Sequence, residues 1–300
     1  MLTDADRAPR SGMLAVLGGG AFLLWMLLAQ VTRASGEEPD LMQTLIAQDA
    51  TLNNNLTLVE PRWQKNARGR TLELGFGFEK MLSPRLDIEI GGQWDSISQH
   101  GGPAGTGFGD IDVALKYVFL KGSEFQVALA PQLSFPTASH ILDEPTEVHA
   151  GGFVSWGGRR GSLSEYGWSR YLQAIELQGD LGYSHGFGNG GSDEIFFDPV
   201  LDYSMPYLGY STGIRTPWPM RSLCVFSELN FTQPLSGGGD ASLSLFATPG
   251  VAYITHTYQA TVGVQLPLTN AADKSAQIAV VGSFTIFMDQ LSPRFGWTPF

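Results

Sequence analysis

The sequence predicts an all-β chain, a transmembrane antiparallel up-and-down β-barrel of about 12 strands behind a cleaved signal peptide. Three observations carry this. One long apolar run lies near the N-terminus and no second run of that length follows it. The rest of the chain repeats segments of about ten residues in which apolar and polar side chains alternate, the pattern of a strand with one face in lipid and one in a lumen. The connections between those segments alternate in length, as the two ends of such a barrel require.

The N-terminal run is "MLAVLGGGAFLLWMLLAQV", residues 13 to 31, preceded by Arg7 and Arg10 and followed by Ala34, Ser35 and Gly36. This is a signal-peptide pattern, assigned to 1–34, although the run also approaches the roughly 20 residues of an uncleaved anchor. Cys224 is the sole cysteine, so an internal disulfide is excluded. Charged residues make up 16% and glycines number 37, while mean hydropathy is −0.01, which fits neither a helical membrane protein nor a disordered chain. A net charge of −11 argues against nucleic acid as a partner, which it would repel.

Residues 35–54 show no alternation and are expected to form a periplasmic N-terminal segment or a plug, ahead of a barrel over 55–300. The clearest strands are "TLELGFGFEK", with Leu72, Leu74, Phe76 and Phe78 outward, and "RLDIEIGGQW", with Leu86, Ile88, Ile90 and Trp94 outward. In "GTGFGDIDVALKYVFL", residues 105–120, the glycines have the wrong spacing for a dinucleotide loop and lead into a strand rather than a helix. They are expected to end a loop, with "GFGD" as the corner that turns Asp110 and Asp112 inward. "FQVALAPQLSF" follows, and the second half adds "AIELQGDLGYS", "IFFDPVLDY", "LCVFSELNFT", "LSLFATPGVAYI", "YQATVGVQLPL" and "AQIAVVGSFTIF". "NLTLVEPRW" and "VHAGGFVSW" are weaker candidates that complete the count.

With both termini periplasmic, "MLSP", "KGS" and "THT" become short inner turns. "SQHGGPAGTG", "PTASHILDEPTE", "GFGNGGSD" and "PLSGGGD" become outer loops. "GGRRGSLSEYG" and "MPYLGYSTGIRTPWPM" are too long for inner turns, and either hide a hairpin or fold against the barrel's base. Trp63, Trp94, Trp156, Trp168 and Trp218 fall near strand ends, where interfacial aromatic girdles sit.

The alternation puts Glu73, Glu79, Asp87, Glu89, Asp110, Asp112, Glu176, Asp180, Asp198, Asp202 and Glu228 in the lumen, against Lys116. Such a lining concentrates cations and repels anions. A 12-stranded barrel has a backbone radius of roughly 12 Å, which suits small solutes. Phe196, Phe226, Phe246 and Phe287 also fall on the inward register. His100, His140, His149, His185 and His256 are scattered without metal-ligand spacing, and His149 or His185 beside a serine would only imitate a lipase site. No enzyme, metal or cofactor is expected.

"GFGDIDVALKY", "TLELGFGFEKMLSPRLDIEIG" and "YLQAIELQGDLGYS" resemble the outer-membrane barrel family named for the MetA pathway of phenol degradation. The resemblance implies a transporter barrel of the bacterial outer membrane moving small, often aromatic or hydrophobic, compounds. Two features depart from the pattern: Pro299 interrupts the alternation before the terminal Phe300, and the lumen is strongly acidic. The expected function is therefore a passive outer-membrane channel for small solutes with an acidic, cation-favouring lumen. The alternative is a non-conducting scaffold barrel that houses or docks an electron-transfer or secretion component. Expected partners are outer-membrane lipid, the solutes, the barrel-assembly machinery and, for the scaffold, a periplasmic or membrane protein.

Overall fold

The computed structural model describes residues 42–99, 104–122, 125–139, 146–157, 167–187, 191–236 and 242–291. The signal-peptide assignment, Pro299 and Phe300 lie outside these residues. Twelve strands follow one another: β1 (Asn55–Asn66), β2 (Gly69–Ser83), β3 (Leu86–Gln99), β4 (Ala104–Lys121), β5 (Phe125–Phe135), β6 (Thr146–Gly157), β7 (Ile175–Phe187), β8 (Asp193–Ser204), β9 (Leu223–Pro234), β10 (Ser244–Ile254), β11 (Tyr258–Pro267) and β12 (Ile278–Phe287). Each pairs antiparallel with the next, and β1 closes on β12, with Asn55 opposite both Glu79 and Phe287. Closure leaves no sheet edge unpaired, which is the condition for a sheet to stand in lipid. No described helix is long and apolar enough to cross a membrane.

The alternation read from the sequence is the physical alternation of the wall. On β7, Leu177, Leu181 and Tyr183 are exposed on the outer surface while Glu176, Gln178, Asp180 and Ser184 are buried inside. The same holds around the circumference, so Phe78, Ile90, Leu115, Phe125, Val154, Phe197, Val225, Val262 and Val280 form an outer apolar belt.

Register irregularities shift the parity at several points, one of them between Met81 and Ser83 of β2. In β1 the register slips after Thr57, so Leu58 and Trp63 both face outward although they differ in parity. In β4, Gly109 and Asp110 together oppose Gln93, and a side chain at Gly109 would stand 2.7 Å from the Gln93 side chain. This bulge lets Phe108 and Ile111 share the outer face. A second bulge at Phe119 gives the outward position to Leu120.

The first β4 bulge corrects the sequence reading of "GFGD". The strand already begins at Ala104, so Gly105 and Gly107 are inward strand positions alternating with exposed Ala104, Thr106 and Phe108. Glycine run and loop are not the same thing here: the chain stays extended, and small inward residues leave room inside the barrel.

We call proximal the end at which β1 begins and β12 finishes. There β2 joins β3 across two residues, Pro84 and Arg85, and β10 joins β11 across 255–257. Of the two long proximal connections, "GGRRGSLSEYG" lies outside the described residues except for Gly157 and Gly167, and the described stretches 167–174 and 205–222 form short helices at the base. Ser169–Ala174 is a 3-10 turn, Met205–Thr212 is helix α1 and Met220–Ser222 is a further 3-10 turn. Ser204 caps α1 by accepting the Tyr207 N–H at 3.2 Å, and Gly213, at φ 71°, ends it in the left-handed conformation that glycine allows. On the distal side α2 (Asn270–Ser275) fills the β11–β12 connection, and α3 (Met288–Leu291) follows β12 at the base.

Candidate channel lumen and the segment inside it

Residues 42–54 have no regular secondary structure, and they lie within the barrel. They enter at the proximal end beside β7 and β9, reach farthest inward around residues 45–48, and return to the proximal start of β1. Their main chain is satisfied by side chains of the wall. Glu228 accepts the N–H groups of Leu45 (2.6 Å), Ile46 (2.9 Å) and Ala47 (3.3 Å). Asp180 accepts that of Gln48 (2.7 Å), Glu176 that of Met42 (3.5 Å), and the Ser155 hydroxyl that of Ala50 (3.2 Å). In return Gln178 and Gln259 donate to the carbonyls of Met42 (2.9 Å) and Gln43 (2.7 Å).

Apolar contacts complete the seat. Ala50 and Leu52 pack with Val118, Ala128, Ala130 and Phe153, and Met42 packs with Cys224, Phe226 and Ala252. This accounts for alanines on the inward faces of β5 and β10, where larger side chains would displace the segment.

Beside this seat, on the same inward face of β4 as Val118, stands one charge cluster. The Lys116 ammonium contacts Glu79 at 2.9 Å and Asp49 at 3.8 Å, and donates to the Thr51 carbonyl at 3.0 Å. Asp87 lies across from Lys116 in the β3–β4 ladder and is fully buried. Burial pushes the Asp49 carboxyl above its usual range, and the Lys116 charge pulls it partly back.

The segment does not fill the lumen. A cavity of about 300 Å³ remains between residues 43–49 and the wall from β12 through β1 to β5. Glu60, Glu89, Asp112, Gln93, Gln132 and Thr285 are among its lining residues, with Lys116 at its proximal side.

The sequence-derived lumen residues thus fall into separate groups. Glu176, Asp180 and Glu228 hold the segment, while Asp87 and Lys116 belong to the charge cluster. Glu89 and Asp112 face the cavity, and Asp112 accepts the Ser134 hydroxyl. Glu73 contacts Arg62 at 3.8 Å and accepts from Gln64 at 3.3 Å. Asp198 accepts the Phe231 N–H at 3.1 Å, and Asp202 accepts from Gln178 at 3.3 Å and from the Cys224 thiol at 3.4 Å.

Asp110 departs from its expected role. At the bulge it accepts the N–H groups of Thr137 (2.9 Å) and Ala138 (2.8 Å), tying down the chain that leaves β5. Residues the sequence reading omitted include Glu60 and Arg62, hidden by the register slip in β1, and buried Asp95. Arg62 is a second inward cation and donates to Gln265 at 2.9 Å.

The inward phenylalanines are spent on the wall. The ring of Phe226 covers Gly250 directly opposite, where a Cβ would come within 2.2 Å of it, and Phe196 covers Gly182 at the same distance. Phe246 packs with Ala272 and Ala276 at the distal end. Ser184 and His149 are strand partners across β6 and β7. Ser184 donates to Glu147 (3.4 Å), and His149 Nε2 meets the same carboxylate (3.0 Å). The hydroxyl's hydrogen-bond partner is thus the carboxylate and not the imidazole. Among the described residues no group of His, Cys, Asp and Glu side chains gathers to hold a metal ion.

Trp63 faces outward toward the distal end. Trp168 and Trp218 stand on the proximal connections rather than on strands, 72% and 70% exposed.

No sequence-family profile matches this chain, and no curated protein matches it. Among solved structures it is similar to the NanC porin, with TM-score 0.51 and 8% identity over 77% of this chain and 98% of that one. An outer membrane channel from Pseudomonas putida F1 gives TM-score 0.48 and 12% identity over 83% and 99%. The KdgM porin gives 0.45 and 11% over 76% and 97%. At these identities the NanC likeness is one of fold: a closed antiparallel β-barrel.

Proposed function

We propose that this chain is an outer-membrane channel for passive passage of small solutes, that its acidic lining favours cations, and that residues 42–54 set its narrow state. The observation that carries this reading is the division of the lumen. Side chains from β4 to β11 hold the segment, while the wall from β12 through β1 to β5 lines a polar cavity of about 300 Å³ beside it.

An apolar outer belt around a polar interior is the arrangement expected of a barrel solvated by lipid outside and water inside. The porin-like fold supports the same reading. Five carboxylates, Asp49, Glu60, Glu79, Glu89 and Asp112, line the cavity against the one ammonium of Lys116, which Glu79 and Asp49 engage. A passage with that excess of negative charge attracts cations and excludes anions. The resemblance to the MetA-pathway family points to aromatic or hydrophobic solutes; the polar lining here favours small polar or cationic ones. Residues 1–34 serve in this reading as the export signal.

The test is single-channel recording from the refolded mature chain in a planar bilayer under a salt gradient. A reversal potential displaced toward the cation equilibrium potential is expected. Verified insertion without current would replace the channel by the scaffold reading.

A further inference from the structure

The described stretches of the proximal connections between β6 and β9 differ in composition from the rest of the chain. Residues 167–174 and 205–222 contain Arg170, Arg215 and Arg221 and no Asp or Glu, in a chain of net charge −11. All three arginines are exposed. Arg170 stacks over Tyr171, with its guanidinium carbon 5.1 Å from the ring centre, and donates to the Tyr171 hydroxyl at 3.2 Å.

Around them Trp168, Tyr171, Trp218 and Met220 are exposed as well. The surface is nonetheless built on a fixed base. Tyr207 and Leu208 of α1 and Gln173 and Ala174 of the first 3-10 turn are buried, and the two elements pack together. The first 3-10 turn runs straight into β7, α1 begins where β8 ends and the second 3-10 turn runs straight into β9, so the patch adjoins the outer belt at Leu177, Leu201 and Val225.

We propose that this patch is a docking surface for anionic phospholipid headgroups of the leaflet at the proximal end. The proposal rests on the membrane-barrel reading above. Guanidinium groups match phosphate oxygens in charge and in their forked donor geometry. Indole rings favour the headgroup level, where an apolar body and an N–H donor are both accommodated. Charge complementarity selects an anionic surface, and continuity with the apolar belt selects a lipid over a protein. Because the patch covers the β6–β9 arc alone, it would anchor the side of the barrel at which residue 42 enters, beside Glu176 and Cys224.

The test is native mass spectrometry of the folded full chain in detergent micelles carrying equal amounts of dioleoyl-phosphatidylglycerol and dioleoyl-phosphatidylcholine. The wild type should retain phosphatidylglycerol at least three-fold more than phosphatidylcholine. The triple variant Arg170→Gln, Arg215→Gln, Arg221→Gln should lose that preference, and Trp168→Ala with Trp218→Ala should lower retention of both lipids. Equal retention of the two lipids by the wild type, or an unchanged preference in the triple variant, would overturn the proposal. So would a stoichiometric acidic protein captured by the wild type and lost with the arginines. Bilayer recordings of the triple variant separate the two levels: persistent current with lost lipid preference leaves the channel reading standing.

Discussion

Glu228, in the middle of β9, accepts the main-chain N–H of Ile46 at 2.9 Å, and the same carboxylate takes the N–H groups on either side of it. A single wall residue therefore satisfies three consecutive backbone donors of a chain segment that has no strand or helix of its own. Replacing Glu228 with Gln removes the charge and at least one acceptor from that contact. A hydrogen bond to a charged group contributes about 1.5–3 kcal/mol, and about 1.4 kcal/mol is tenfold in an equilibrium. Residues 42–54 should consequently become at least ten times more susceptible to proteolysis in micelles, with the barrel itself intact; an unchanged cleavage rate would argue that the apolar seat alone retains them.

The Lys116 cluster gives a different signature. Lys116→Met leaves Asp49, Glu79 and Asp87 crowded without their cation, and breaking a buried pair in this way costs about 3–5 kcal/mol. Unfolding in urea, followed by the heat-modifiable gel shift, should show a large loss of stability. Glu79→Gln leaves Asp49 as a partner for the same ammonium and should cost clearly less.

Selectivity should follow the cavity rather than the total acid count. Glu60→Gln, Glu89→Gln and Asp112→Asn together are expected to move the reversal potential toward zero. Asp110→Asn should leave it unchanged and instead loosen the chain at Thr137 and Ala138, visible as faster hydrogen exchange there. Loss of cation preference in Asp110→Asn alone would reverse that assignment.

Protonation of Asp49 provides a pH test. Its carboxyl titrates above the usual range while the segment is seated, because burial disfavours the charged form. The seated state therefore binds the proton more tightly than the released state. Stabilisation of the seat from this source is complete below the ordinary aspartate pKa and is lost as pH rises through the elevated one. Conductance should fall on acidification across that interval, and Asp49→Asn should flatten the response.

The outer belt can be probed at Leu181, which is 57% exposed and central in β7. An arginine there faces hydrocarbon and should cost about 2–4 kcal/mol at mid-bilayer depth. Reduced insertion into vesicles with an unaltered soluble aggregate fraction checks it.

Most of the wall was legible in the sequence because a strand with unlike surroundings on its two faces must alternate with period two. Leu177, Gln178 and Asp180 could be placed from that rule alone. Bulges break the rule locally: the slip after Thr57 hid Glu60 and Arg62, and the pair Gly109–Asp110 made a strand interior resemble a loop's end. Residues 42–54 carried no periodic signal because their partners are side chains scattered over β4 to β11. The split among the inward carboxylates was illegible for the same reason. Nothing local distinguishes Glu228, which grips the segment, from Glu89, which faces the cavity.

The most direct measurement is single-channel current with the segment reversibly locked. Ala50→Cys and Ser155→Cys, in a Cys224→Ser background, place two thiols where the Ala50 N–H now meets the Ser155 hydroxyl at 3.2 Å. Oxidised protein should show a small, steady, cation-selective conductance, and reduction in the same bilayer should add larger intermittent openings. Identical currents before and after reduction, with the cross-link verified, would contradict a luminal segment that controls the passage.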